Sequence, residues 1–185
     1  MISFPVQPPL QVLNHVTGRS YYLNRCDSIS PSADRVAEVV AICNEAAVYE
    51  WLFRERFMGV PYSPENAIEW FSGAAAGWRN QTHFCFAVTD ADGKIVAACD
   101  VKSSKQEGAE IGYWCSAHEG GIITNAVVAM CGLAKKAGFR SLMAAACHGN
   151  LRSRAVLKRV GFQVDPSRRN AERDYFNLSL SDLIE

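Results

Sequence analysis

A chain of 185 residues with 19 basic and 19 acidic side chains carries no net charge, which argues against a bulk nucleic-acid binder, because such a surface needs an excess of Lys and Arg. No apolar run approaches the roughly 18 residues of a membrane span. The proline-rich start also lacks the basic segment of a secretory signal, so no membrane is expected as a partner and a cytoplasmic chain is expected.

The length fits a single domain over residues 1–185, and with 49% hydrophobic residues it is large enough to bury a substantial core. The seven cysteines, at 26, 43, 85, 99, 115, 131 and 147, include no C-x-x-C pair. Most occupy apolar positions of predicted strands or helices, so they read as reduced core residues rather than a disulfide framework. The histidines at 15, 83, 118 and 148 show no ligand spacing, and no metal is expected.

Pro5, Pro8 and Pro9 make the first ten residues a poor start for regular structure. Gln11 to Val16 and Ser20 to Arg25 read as a hairpin around Thr17-Gly18. Ser30-Pro31-Ser32 starts a helix that sets Val36, Val39, Val40 and Cys43 on one face. Aromatics are densest over residues 45–79, where Pro61 breaks the run and Ser63-Pro64-Glu65 starts another helix. Taken singly, each of these aromatics reads as packing between helix and sheet. Thr82 to Thr89 and Lys94 to Val101 then flank Asp90-Ala91-Asp92-Gly93, a strong hairpin signal.

The stretch from Glu110 to Phe162 carries the chemistry. Ile111, Tyr113 and Cys115 alternate with Gly112 and Trp114 in a short strand, and Gly120-Gly121 breaks the pattern. From Ile122 the apolar positions recur at helical spacing until Gly138, a plausible residue just past the helix end. Ser141 to Cys147 reads as a buried strand, and Asn150 can cap a second helix that ends at Gly161. After Phe162, Pro166 to Asp174 is polar and arginine-rich, reading as a solvated turn or a hold for an acidic partner, and Tyr175 to Leu180 alternates as a final strand. A strand, a glycine turn and a helix start make an anion site, because free N–H groups and the helix dipole converge there.

These residues resemble the acetyl-CoA-binding core of the GNAT acyltransferases, in particular the subgroup of ribosomal-protein alanine N-acetyltransferases. The resemblance rests on Glu110-Ile111-Gly112-Tyr113-Trp114, on the turn Glu119-Gly120-Gly121, on Thr124-Asn125-Ala126, and on Asn150 and Ser153 followed by Gly161-Phe162. Pro61 to Glu65 is typical of the same subgroup, whose helices in this region cover the acceptor side of the cleft. The chain departs from the pattern at Glu119, where the family has glycine, and at Asn125, where it has an acid. A carboxylate facing a pyrophosphate is repelled, so Glu119 has to point away, pair with a cation, or mark a loop that holds CoA poorly.

The resemblance implies a GNAT-like α+β fold: a mixed, mostly antiparallel sheet of six or seven strands with helices on both faces. It implies acetyl-CoA as cosubstrate and a primary amine as acceptor, either a protein N-terminus or a small-molecule amine. A homodimer is left open. Backbone groups of Tyr113, Trp114, Cys115 and Ser116 would pair with the pantetheine arm. Amides of Gly120, Gly121, Ile122, Ile123 and Thr124 would hold the pyrophosphate. Asn150 and Ser153 would face the sulfur. The family's usual tyrosine acid would fall at Leu157, which leaves Ser153 as the candidate proton donor. Glu110 is the candidate base acting through water, since an ordinary carboxylate near pKa 4.3 is a weak base for an amine. Each of these has a plainer explanation: Asn150 and Ser153 as a helix cap, Glu110 as a paired strand residue. A GNAT-shaped module that binds CoA or a protein without turnover is the alternative function.

Overall fold

Phe84, Phe86 and Val88 face one side of a strand whose other side carries Cys85 and Ala87, and all six residues of Phe84–Thr89 are buried. A strand covered on both faces belongs in the middle of a layered fold. The structure, a computed structural model, describes residues 2–5, 9–168 and 170–182 and places this strand third in an eight-stranded sheet.

In chain order the strands are β1 (Leu10–Leu13), β2 (Ser20–Arg25), β3 (Phe84–Thr89), β4 (Ile95–Val101), β5 (Ala109–Cys115), β6 (Ser141–Cys147), β7 (Gln163–Asp165) and β8 (Arg173–Ser179). The helices are α1 (Ala33–Cys43), α2 (Ala46–Leu52), α3 (Pro64–Asn80), α4 (Ile123–Ala137) and α5 (Leu151–Val160). The sheet order is β1-β2-β3-β4-β5-β6-β8-β7, antiparallel throughout except at β5 and β6. This is the mixed, mostly antiparallel α+β arrangement expected from the sequence. The sheet exceeds the expected six or seven strands because Gln163–Asp165 pairs with β8. Three residues are too few to show an alternating pattern.

The two faces of the sheet carry separate apolar layers. Val39 and Ile42 of α1 and Phe71 of α3 pack with Ile95 on one face, where Ala74 also meets Cys85 and Ala87. Ala126, Val127, Met130 and Ala134 of α4 and Val156, Leu157 and Val160 of α5 pack on the other, against Ile111, Leu142 and Phe176. All seven cysteines are free thiols, five buried and two half-buried. Among the described residues no helix is long and apolar enough to cross a membrane, and no group of His, Cys, Asp or Glu could hold a metal ion.

Local signals explain the helix ends. Ser32 accepts the Arg35 N–H to open α1. At α3, Ser63 and Asn66 each take the other's backbone N–H, a complete capping box with Pro64 at the first helical position. Gly138 and Gly161 close α4 and α5 in the left-handed conformation that glycine adopts without strain. Replacing Ser63 by Ala is expected to lower stability by about 1 kcal/mol, read as an earlier urea midpoint with an unchanged slope. An unmoved midpoint would show that the cap contributes nothing.

Candidate active site

β5 and β6 pair in parallel at two positions only, Ala109 with Leu142 and Glu110 with Met143. Beyond Glu110, Ile111 to Cys115 remain bonded to β4 on one edge, while β6 stays bonded to β8 along its whole length. The facing edges therefore diverge with their peptide groups unpaired by any strand. The gap between them is a cleft of about 800 Å³. It is lined by every site residue expected from the sequence except Ile122, which is fully buried in the core.

One end of the cleft is the start of α4. No side chain caps this helix, and its first internal bond runs from the Ala126 N–H to the Ile122 carbonyl, so the preceding N–H groups of the first turn are left to a ligand. Gly121 has φ of +101°, and a Cβ there would collide with Asn14 Oδ1 and lie 2.7 Å from Val16 Cγ2. Only glycine fits. The cause is a clamp from the β1–β2 turn: the Asn14 amide donates to the Gly120 carbonyl at 3.0 Å, and the His15 N–H donates to the Gly121 carbonyl at 3.3 Å. Asn14 is 2% exposed, and its Oδ1 accepts the Val16 and Thr17 N–H groups. Asn125 extends the same tie by donating to the Leu13 carbonyl at 2.7 Å. Asn14 carried no sequence signal, because its partner lies 106 residues away.

Glu119 is directed out of the cleft. Its carboxylate accepts the Tyr21 hydroxyl, and it is absent from the cleft lining although Gly120 and Gly121 are present. Burial first, and the Glu119 carboxylate second, push the Tyr21 phenol above its ordinary range. The other end of the turn is fixed by Glu45, ahead of α2, which accepts the Ser116 hydroxyl at 2.8 Å and the Ala117 N–H at 2.5 Å. These bonds end β5 and turn the chain toward Gly120.

Across the cleft, Asn150 Oδ1 accepts the Ser153 N–H at 3.0 Å and caps α5. The Ser153 hydroxyl lies 2.8 Å from the Tyr113 hydroxyl, and the latter is 3.0 Å from the Ser153 carbonyl. Burial pushes the Tyr113 phenol up to about 12, against the lowering effect of its bond to Ser153. The same helix turn is tied to β8 through Asp174, which takes Arg154 and, at 3.2 Å, His148. Burial raises the Asp174 carboxyl, but the bond and charge of Arg154 and the nearby His148 outweigh it and leave it below its ordinary range.

Glu110 stands at the point of divergence, in a 2.6 Å ion pair with Lys102. Beyond it, Gly112 is small for a reason: a Cβ there would sit 2.6 Å from Asp100 Oδ1. The Trp114 ring packs on Trp70 at 5.7 Å. Trp51 of α2 reaches over the opening to Gly149, where a Cβ would meet the ring at 3.1 Å. Arg152, Arg159 and Arg173 also line the cleft and have no ion-pair partner among the described residues. That excess of cations suits a polyanionic occupant.

Residues 29–163 match the acetyltransferase (GNAT) domain model. The chain belongs to the GNAT acetyltransferase family. No curated protein matches the sequence. Among solved structures, Mycobacterium smegmatis RimJ in complex with a CoA disulfide is similar with a TM-score of 0.73 and 19% identity, covering 96% of this chain and 88% of that one. RimL, a ribosomal alpha-N-protein acetyltransferase in complex with coenzyme A, gives 0.69 at 14% identity over 92% and 98% of the two chains. The microcin self-immunity acetyltransferase MccE, in complex with acetyl-CoA and AMP, gives 0.67 at 14% over 86% and 92%. At these identities the likeness establishes the fold.

Because Glu119 is engaged with Tyr21 away from the cleft, Glu119→Gly in this GNAT protein is expected to leave CoA affinity unchanged or weaker. It should also cost about 1–3 kcal/mol of stability, since a buried hydroxyl loses its acceptor. Calorimetry with CoA and a urea titration check both. Tighter binding by the variant would mean that the carboxylate faces the ligand after all.

Proposed function

We propose that this GNAT protein transfers the acetyl group of acetyl-CoA to the nitrogen of a primary amine, on a protein N-terminus or a small molecule. The observation that carries the proposal is the meeting of three features on one cleft: unpaired strand edges, an uncapped helix start and the Ser153 hydroxyl. In Tyr113 to Ser116, the backbone groups on the open edge offer the pantetheine arm the bonds that an added strand would make, while the Ser116 N–H is held by the Val96 carbonyl at 2.9 Å. The amides from Gly120 to Thr124 face the pyrophosphate, helped by the helix dipole. Arg152, Arg159 and Arg173, which have no ion-pair partner among the described residues, add to the attraction.

In the reaction the amine nitrogen forms a bond to the acetyl carbon as the carbon–sulfur bond breaks. Ser153 donates a proton to the departing sulfur. Glu110 takes the amine proton through a water molecule, held at the cleft by its pair with Lys102. The amine has to arrive neutral, since the ammonium form has no lone pair.

A screen of acetyl-CoA with a panel of amines, read by thiol release, tests the proposal. Turnover with at least one amine is expected, and CoA binding without thiol release from any amine would instead mark a binding module. With an accepted amine, Ser153→Ala should lower kcat by about 10²–10⁴ with little change in Tm. Asn150→Ala should cost about 1 kcal/mol as a lost cap, besides any loss of rate. Glu110→Gln should flatten the rising limb of kcat/KM with pH, and an unchanged limb would remove the carboxylate from amine deprotonation.

A further inference from the structure

The Tyr113 phenol comes from β5 and the Ser153 hydroxyl from the first turn of α5, so their 2.8 Å contact joins the two walls of the cleft. Both residues line the opening. A serine hydroxyl is a poor acid alone, because the alkoxide it leaves is far more basic than a thiolate, whose thiol has a pKa of about 8.5. Delivery of its proton to sulfur therefore needs replacement in the same motion. Leu157, fully buried, has no proton to give, and Asn150, whose Oδ1 accepts the Ser153 N–H, carries only amide protons, which are far too weakly acidic. The phenol is the proton source in contact. Its O–H has two acceptors within reach, the Ser153 Oγ and the Ser153 carbonyl at 3.0 Å. Turning about its C–O bond moves it from one to the other.

We infer that Tyr113 and Ser153 form one proton-delivery unit for the acyl transfer proposed above, on which this inference rests. As the carbon–sulfur bond breaks, Ser153 passes its proton to sulfur and takes the Tyr113 proton in its place. The proton that Glu110 took from the attacking amine then returns to the phenolate through water. A neutral amine and an acetyl thioester thus give an amide and a thiol, with no net gain or loss of protons. The phenol, raised by burial to about 12, is protonated at neutral pH, and the serine alkoxide that develops beside it is a stronger base. Tyr113 supplies from a strand the phenol that the α5 helix lacks at Leu157.

The test uses the full chain, acetyl-CoA and an amine that the wild type accepts. Tyr113→Phe, which removes one oxygen, is expected to lower kcat by about 10- to 100-fold with KM for acetyl-CoA within about twofold. The double variant Tyr113→Phe with Ser153→Ala should be no slower than Ser153→Ala alone, because the phenol acts only through the serine. With S-phenyl thioacetate as donor, whose thiolate leaves with less need of a proton, the Tyr113→Phe deficit should shrink. Full kcat in Tyr113→Phe, or losses that multiply in the double variant, would overturn the relay while leaving the acetyltransferase reading intact. A wild type inactive toward every amine would overturn both. A phenol that merely braces the helix start would lower the melting temperature and slow both donors equally, which also counts against the relay.

Discussion

Two paired positions between β5 and β6 determine what this molecule can do. Sheets close their edges with hydrogen bonds wherever they can, and an unpaired edge is ordinarily a liability. Here each strand has its other edge fully occupied, β5 by β4 and β6 by β8. The two halves of the sheet are therefore held independently, and the divergence after Glu110 leaves peptide groups in a cleft rather than on a rim. The helices follow from this. α4 starts at the far end of β5 and α5 at the far end of β6, so both first turns face the opening.

An uncapped helix start is useful only if its loop is rigid enough to hold the amides in place. That rigidity comes from the β1–β2 turn, through Asn14 and His15 on Gly120 and Gly121, and from Glu45 on Ser116 and Ala117. Glu119 belongs to the same scheme. Its charge is used against Tyr21 on the core side of the loop, which answers the electrostatic objection that its position in the turn raises. The loop departs from the family's glycine without turning a carboxylate on the ligand.

Much of this was legible in the sequence where the determinants are local. The turn at Asp90 to Gly93 marks β3 and β4, alternation marks β5, and the Asn150 cap and the Gly138 and Gly161 stops bound the helices in the order that the stretch from Glu110 to Phe162 implies. The sheet's eighth strand was not legible, because Gln163–Asp165 is defined by its partner rather than by its own pattern. The supports of the site escaped for the same reason. Asn14 and Gly120 lie 106 residues apart, Glu45 and Ser116 71, Tyr21 and Glu119 98, and Tyr113 and Ser153 40. Each is a polar residue with an ordinary local role, and only the fold brings its partner within reach. The sequence assigns Tyr113 a backbone role, and only the fold brings its hydroxyl to Ser153 of α5 across the cleft.

On the proposed function, free backbone amides on β5 and at the α4 start receive CoA. Amide hydrogen exchange with and without CoA tests it most directly. New protection is expected at Tyr113, Cys115 and Gly121 to Asn125, with β1 to β4 unchanged. Protection centred elsewhere, or none at saturating CoA, would contradict it.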